Sequence, residues 1–192
     1  MRRKSKLSSL PSVLTTKQAK SCGISKRTLV SQKEKGKIER LYRGHYVQPD
    51  LLEKQQVPFG QETLVGLAVS VPGVICLVSA LSIYGLTEEV SRESWIAIPH
   101  RKRSPEISKA KVIRMRDLKT GLTNILIGKI KVLIFNPART VIDSFRFLDR
   151  ETALKGLKRF LKKYPHDVEQ LLAYSKKLRM PIRTYIEALT NE

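Results

Sequence analysis

The chain has 192 residues, 41% of them hydrophobic and 28% charged, a balance that supports a packed core and excludes a wholly disordered polypeptide. Thirty-seven Lys and Arg against seventeen Asp and Glu leave a formal charge of +20, which calls for a polyanionic partner, either nucleic acid or an anionic membrane surface. The two cysteines are far apart and the three histidines are isolated from one another, so a disulfide framework, a zinc site and a cofactor are not expected.

Charge is blocked along the chain. Residues 1 to 48 carry thirteen basic and two acidic side chains, residues 49 to 100 two and six, and residues 101 to 131 ten and two. Such blocks describe surfaces and not a uniform solubilising coat. The basic start, Met1-Arg2-Arg3-Lys4, is followed by no long apolar run, so a secretory signal is not expected. The most apolar stretch, residues 64 to 81, is interrupted by Pro72-Gly73, which argues against a membrane span. A cytoplasmic, nucleoid-associated protein is the expectation.

In chain order, residues 5 to 10 suit a short helix ended by Pro11. Thr15 or Thr16 caps a second helix that stops at Gly23, and Ser25 caps a third, over residues 26 to 35, that stops at Gly36. Helix, glycine turn and capped helix form the helix-turn-helix pattern. Residues 37 to 42 alternate apolar and polar, Arg43-Gly44 is a turn, and His45-Tyr46-Val47 returns, which predicts a β-hairpin wing. Residues 49 to 60 are expected to be a linker, 61 to 71 a helix, and 80 to 84 a short helix capped by Ser79 and closed by Gly85. Strands follow at 95 to 98, 111 to 115 and 124 to 134, the last folded back at Gly128-Lys129. From Asn136-Pro137 onward the pattern is helical, with further starts at Asp149, at Asp167 and after Pro181. The expected architecture is α/β of the α+β kind. A winged helix-turn-helix occupies residues 1 to 48, and residues 61 to 192 form a larger domain with a small mixed or antiparallel sheet and C-terminal helices.

On the third helix Thr28, Ser31, Gln32 and Lys35 share one polar face, with Leu29 off it, the division that a recognition helix in a major groove requires. Lys26 and Arg27 at its start, beside the cap Ser25 that is counted in the same DNA-binding set, suit phosphate or guanine, and Gln32 suits adenine. Lys17 on the preceding helix and Lys37, Arg40, Arg43, Gly44 and His45 on the wing complete the expected DNA-binding set. A solvated polar face and an ordinary exposed hairpin are the plainer alternatives. Arg101, Lys102, Arg103, Lys109, Lys111, Arg114 and Arg116 form a second basic surface, read as a nucleic-acid face, a dock for an acidic protein, or a solvated loop and strand. Arg139 and Asp143, four apart on one helix, read as an ion pair, and Cys22 as a small buried residue. With no clustered acids or metal ligands, no catalytic residue is assigned and no enzyme is expected.

These residues carry a family resemblance. Leu14-Thr15-Thr16-Lys17, Gly23-Ile24-Ser25, the run from Gly36 to Leu41 and Arg43-Gly44-His45-Tyr46 resemble the N-terminal domain of AbiEi-type antitoxins. The run from Val78 to Leu86 and that from Asn136 to Asp143 resemble the second domain of the same family. The resemblance implies an antitoxin of an abortive-infection, type IV toxin-antitoxin system. Such a protein represses its own promoter at inverted repeats through the N-terminal domain and opposes a nucleotidyltransferase-type toxin, directly or indirectly, through the C-terminal one. A mobile-element regulator without antitoxin activity is the alternative, and an enzyme acting on nucleic acid or on the toxin a further one.

Overall fold

The structure, a computed structural model, describes residues 10–71, 73–89, 92–107 and 109–190. The helix expected over residues 5 to 10 lies outside the described residues, save Leu10, which is buried in a bend.

The N-terminal unit is a winged helix. Strand β1 (Val13–Thr15) leads into α1 (Thr16–Ser21) and α2 (Lys26–Glu34), and β2 (Glu39–Tyr42) and β3 (His45–Val47) form the hairpin. The sheet has the order β1-β3-β2, antiparallel throughout, so a third strand joins the expected pair. Its core is Leu10, Leu14, Ala19, Ile24, Leu29 and Ile38.

Where a linker was expected, helix α3 (Pro49–Lys54) begins on Pro49 at its first turn and buries Leu52 completely. Proline is as suited to open a helix as to break one, because the missing N–H is an unpaired one in any case. Helix α4 (Glu62–Ser70) then lies between the wing and a second, larger sheet. Its Leu64, Val65 and Leu67 share one buried cluster with Leu41 and Val47 of the wing and with Ile96, Ile98 and Ile134 of the larger sheet. Leu41 packs over Gly66, where a Cβ would come within 2.9 Å of Cδ1, and the Tyr42 hydroxyl donates to the Ser70 carbonyl at 3.1 Å. The apolar core is therefore continuous across residue 48.

The larger sheet contains β4 (Val74–Ile75), β5 (Ser94–Pro99), β6 (Ala110–Met115), β7 (Leu122–Ile127) and β8 (Ile130–Phe135), in the order β6-β5-β4-β8-β7. It is mixed: β5 with β6 and β4 with β8 are parallel, the other pairs antiparallel. Alternation along each strand serves two faces. Ile96 and Ile98 point toward α4, whereas Trp95 and Ala97 pack with Met115, Phe135 and Leu77 on the other side. Helix α5 (Leu77–Ile83) starts three residues earlier than expected. Ser79 lies inside it, and its hydroxyl accepts the Trp95 backbone N–H at 2.9 Å instead of capping the helix.

Helix α6 (Pro137–Phe147) is capped as expected, the Arg139 N–H donating to Asn136 Oδ1 at 2.9 Å. Helix α7 (Arg150–Lys163) is capped by Asp149, whose Oδ1 accepts the Thr152 N–H at 2.8 Å. After a 3-10 turn (Pro165–Asp167) come α8 (Val168–Lys177) and α9 (Arg183–Thr190), which close on Val141, Ile142, Leu157 and Phe160.

Candidate nucleic-acid interface

The helix-turn-helix is built from local hydrogen bonds. Thr15 Oγ1 accepts the Gln18 N–H at 3.2 Å while Gln18 Oε1 accepts the Thr15 N–H at 2.8 Å, a reciprocal cap that fixes the start of α1. Gly23 takes the left-handed conformation, φ 74°, that lets the chain turn, and Ile24 beyond it drops into the core. Ser25 Oγ then accepts the Thr28 N–H at 3.1 Å and sets the direction of α2. Cys22, expected to be buried, is exposed: it is the last residue of the α1 turn, and the inward slot is taken by Ile24.

Helix α2 is held by Leu29, 1% exposed. Of the expected face, Thr28 and Lys35 are exposed, whereas Ser31 and Gln32 are half-buried, and the Thr28 hydroxyl lies 2.9 Å from the Ser25 cap. The open surface continues through Lys26, Arg27, Val30 and Lys33, at helical spacing on one side. Val30, 53% exposed, and Lys33 were not singled out in the sequence. A β-branched side chain on the polar side of an amphipathic helix was the available signal, and it suits contact with a thymine methyl. No acidic residue lies in the first turn of α2, so the helix dipole, Lys26 and Arg27 all present positive charge there.

The wing turn is tied to the helix start: the Thr16 N–H donates to the Gly44 carbonyl at 2.8 Å and its hydroxyl at 3.1 Å, with Gly44 at φ 81°. Arg43 and Arg40 are exposed, Arg40 Nε reaching the Tyr42 carbonyl at 3.4 Å. His45 is half-buried and stacks on Tyr42 with ring centroids 4.1 Å apart. Lys37 stands 3.9 Å from Asp50, and Lys17 is exposed on α1.

The second basic stretch divides in two. Lys109 immediately precedes β6 and Lys111 is its second residue, sitting 4.6 Å over the Trp95 ring and 3.5 Å from Glu93. Because β5 and β6 are parallel, their C-terminal ends meet: Pro99 pairs with Met115, and the His100 N–H donates to the Met115 carbonyl at 2.9 Å. Arg101, Lys102 and Arg103 therefore leave the sheet beside Arg114 and Arg116, all five exposed.

Arg139 and Asp143 form the ion pair expected of them, Nε to Oδ2 at 2.7 Å, at 2% and 1% exposure. Burial pushes the Asp143 carboxyl up, and the guanidinium opposes this. The remaining Arg139 donors reach the Thr120 and Asp117 carbonyls, each at 3.0 Å, so this arginine pins the turn after β6. Partial burial raises the Asp117 carboxyl, but hydrogen bonds from Thr120 and Lys119 and the Arg139 charge prevail and hold it at about 2. Among the described residues no cluster of His, Cys, Asp and Glu suits a metal ion, and no helix is long and apolar enough to cross a membrane.

A search of curated proteins returned no match to this chain. The motifs at residues 78 to 86 and 136 to 143 lie beyond the segment for which a family match was found. That segment contains the winged helix: residues 5–48 match the family model described as Transcriptional regulator, AbiEi antitoxin.

Proposed function

We propose that this chain is an antitoxin of a type IV, AbiE-like toxin-antitoxin system that represses its own promoter by binding inverted repeats, acting in the cytoplasm on the nucleoid. The observation that carries the reading is the open cationic side of α2 beside the wing, within the segment that matches a regulator family. Lys26, Arg27 and Arg43 take phosphate and base-edge contacts, and Thr28, Val30 and Lys33 add to the surface. Residues 1 to 48 are the DNA-binding part. Residues 61 to 192 oppose a nucleotidyltransferase-type toxin, directly or indirectly.

The test is a gel shift of a labelled promoter fragment containing inverted repeats, at low salt. The fragment is expected to shift, and Arg27→Ala and Arg43→Ala to weaken binding with unchanged circular dichroism. Absence of any shift refutes the repressor reading, and unchanged affinity in both variants refutes the assigned face.

A further inference from the structure

The two edges of the larger sheet are built differently. At one edge β6 carries exposed Lys111 and Arg114, and charged side chains keep an edge strand from pairing with another chain. At the other edge β7 reads Leu122-Thr123-Asn124-Ile125-Leu126-Ile127, without charge or proline, and its register with β8 runs without a bulge. Among the described residues no strand pairs with its outer side. In a chain of formal charge +20, this edge is the one left uncharged and open.

Its exposed face is apolar. Ile125 and Ile127, with Val132 and Ile134 of β8, pack into the core, so alternation turns Leu122, Asn124 and Leu126 the other way, beside Leu133. Leu126 is 69%, Leu122 41% and Leu133 38% exposed. Ile127 and Ile130 flank the two-residue turn at Gly128-Lys129, which directs the N–H and C=O groups of Thr123, Ile125 and Ile127 toward β8. The Asn136 N–H, bonded to the Gly121 carbonyl at 2.7 Å, continues the same set. Leu122, Asn124 and Leu126 therefore turn their main-chain groups away from the sheet, and of these the Leu122 N–H is taken by the Lys119 carbonyl at 3.2 Å.

We infer that β7 is a homodimer interface: β7 of a second copy pairs with it antiparallel about a two-fold axis through Asn124, joining the two sheets into one. The occupant follows from self-complementarity. With Asn124 on the axis, Leu122 lies opposite Leu126 of the second copy and Leu126 opposite its Leu122, so leucine meets leucine on both sides of an asparagine pair. The two Asn124 residues exchange main-chain hydrogen bonds, and each Leu126 N–H donates to the Leu122 carbonyl across the axis. Sliding the second copy by two residues in either direction sets Asn124 against a leucine, and a one-residue slip opposes side chains of different faces. The strand lies outside the residues assigned to DNA, and the pairing is independent of the promoter reading. Because the contact is main-chain and apolar while both copies are strongly cationic, salt strengthens the dimer by screening their repulsion.

The experiment is sedimentation equilibrium of the full-length chain, freed of nucleic acid, from about 1 to 200 μM and at about 50 and 500 mM salt. The parent is expected to show a monomer–dimer equilibrium that tightens at the higher salt. Asn124→Lys, which sets two ammonium groups together on the axis, is expected to weaken it about tenfold or more, whereas Ala173→Lys, at an exposed position of α8, leaves it unchanged. Circular dichroism and Trp95 fluorescence check that each variant is folded. Register is read by mild oxidation in a Cys22→Ser background, since Cys22 is exposed. Asn124→Cys should give a disulfide-linked dimer, its paired Cα atoms lying about 5.5 Å apart, and Leu126→Cys, exposed but off the axis, should not. A parent that stays monomeric throughout refutes the interface. So does a dimer that Asn124→Lys leaves intact, one that dissociates at high salt, or equal crosslinking of the two cysteine variants.

Discussion

Replacing Arg139 with Met should damage the protein more than any surface substitution, and the structure says why. Arg139 is among the largest fully buried side chains, stacks 4.5 Å over Phe135, and spends its donors on Asp143 and on the carbonyls of Asp117 and Thr120. Methionine can fill much of the volume but leaves Asp143 charged and buried, with Oδ1 already lacking a hydrogen-bond partner among the described residues. Breaking such a pair costs about 3–5 kcal/mol, against a typical total stability of about 5–15 kcal/mol. For a chain of this size that corresponds to a melting point lower by on the order of 10 °C. Trp95, the single tryptophan and a core residue, reports unfolding in urea directly by fluorescence. Arg139→Met/Asp143→Leu should recover part of the loss by removing the stranded charge, but not all of it, since the two carbonyls stay unpaired. A single variant destabilised by less than about 1 kcal/mol, or a double variant no better than the single, would show that this pair does not hold the turn after β6.

Leu52→Ala should cost about 2–5 kcal/mol by urea titration, and the segment from 49 to 60 should resist limited proteolysis; rapid cleavage there would mean that α3 is not docked. Gly128 has φ 60° and faces the Gln55 and Gln56 backbone, so Gly128→Ala should destabilise by at least about 1–3 kcal/mol, measured the same way. Asp117 has a depressed folded pKa of about 2, so its contribution is present above the ordinary carboxylate value and disappears as pH falls through 2. Asp117→Asn should therefore flatten the acid side of the stability profile between about pH 4 and 2, and an unchanged profile would contradict the assignment. Arg27→Ala/Arg43→Ala should lose promoter binding yet still protect cells that express the partner toxin. Point variants are the right tool here, because a cut at residue 48 would strip Leu41 and Val47 from a shared core.

What could be read in the sequence was what local chemistry controls. Thr15, Gly23, Ser25, Gly36 and Arg43-Gly44 each satisfy a backbone requirement within a few residues of themselves, and the helix-turn-helix and hairpin follow from them. Strands β1 and β4 were missed because three and two residues are too few to show alternation, and both exist only through partners far along the chain. Phase was harder than period on α2: a single inward residue, Leu29, leaves the rotation of the helix open, so Ser31 and Gln32 were placed outward when they are half-buried. The meeting of Arg101, Lys102 and Arg103 with Arg114 and Arg116 is a product of tertiary structure, since only the parallel pairing of β5 with β6 brings the two runs to one edge of the sheet.

The most direct test of operator recognition is the affinity of the purified full-length chain for a duplex carrying its own promoter, measured against a scrambled duplex of equal length at 150 mM salt. Binding to the promoter at least about a thousandfold tighter than to the scrambled duplex, and lost in Arg27→Ala, is the predicted result. Equal affinity for the two duplexes, or an Arg27→Ala variant that discriminates as well as the parent, would contradict it.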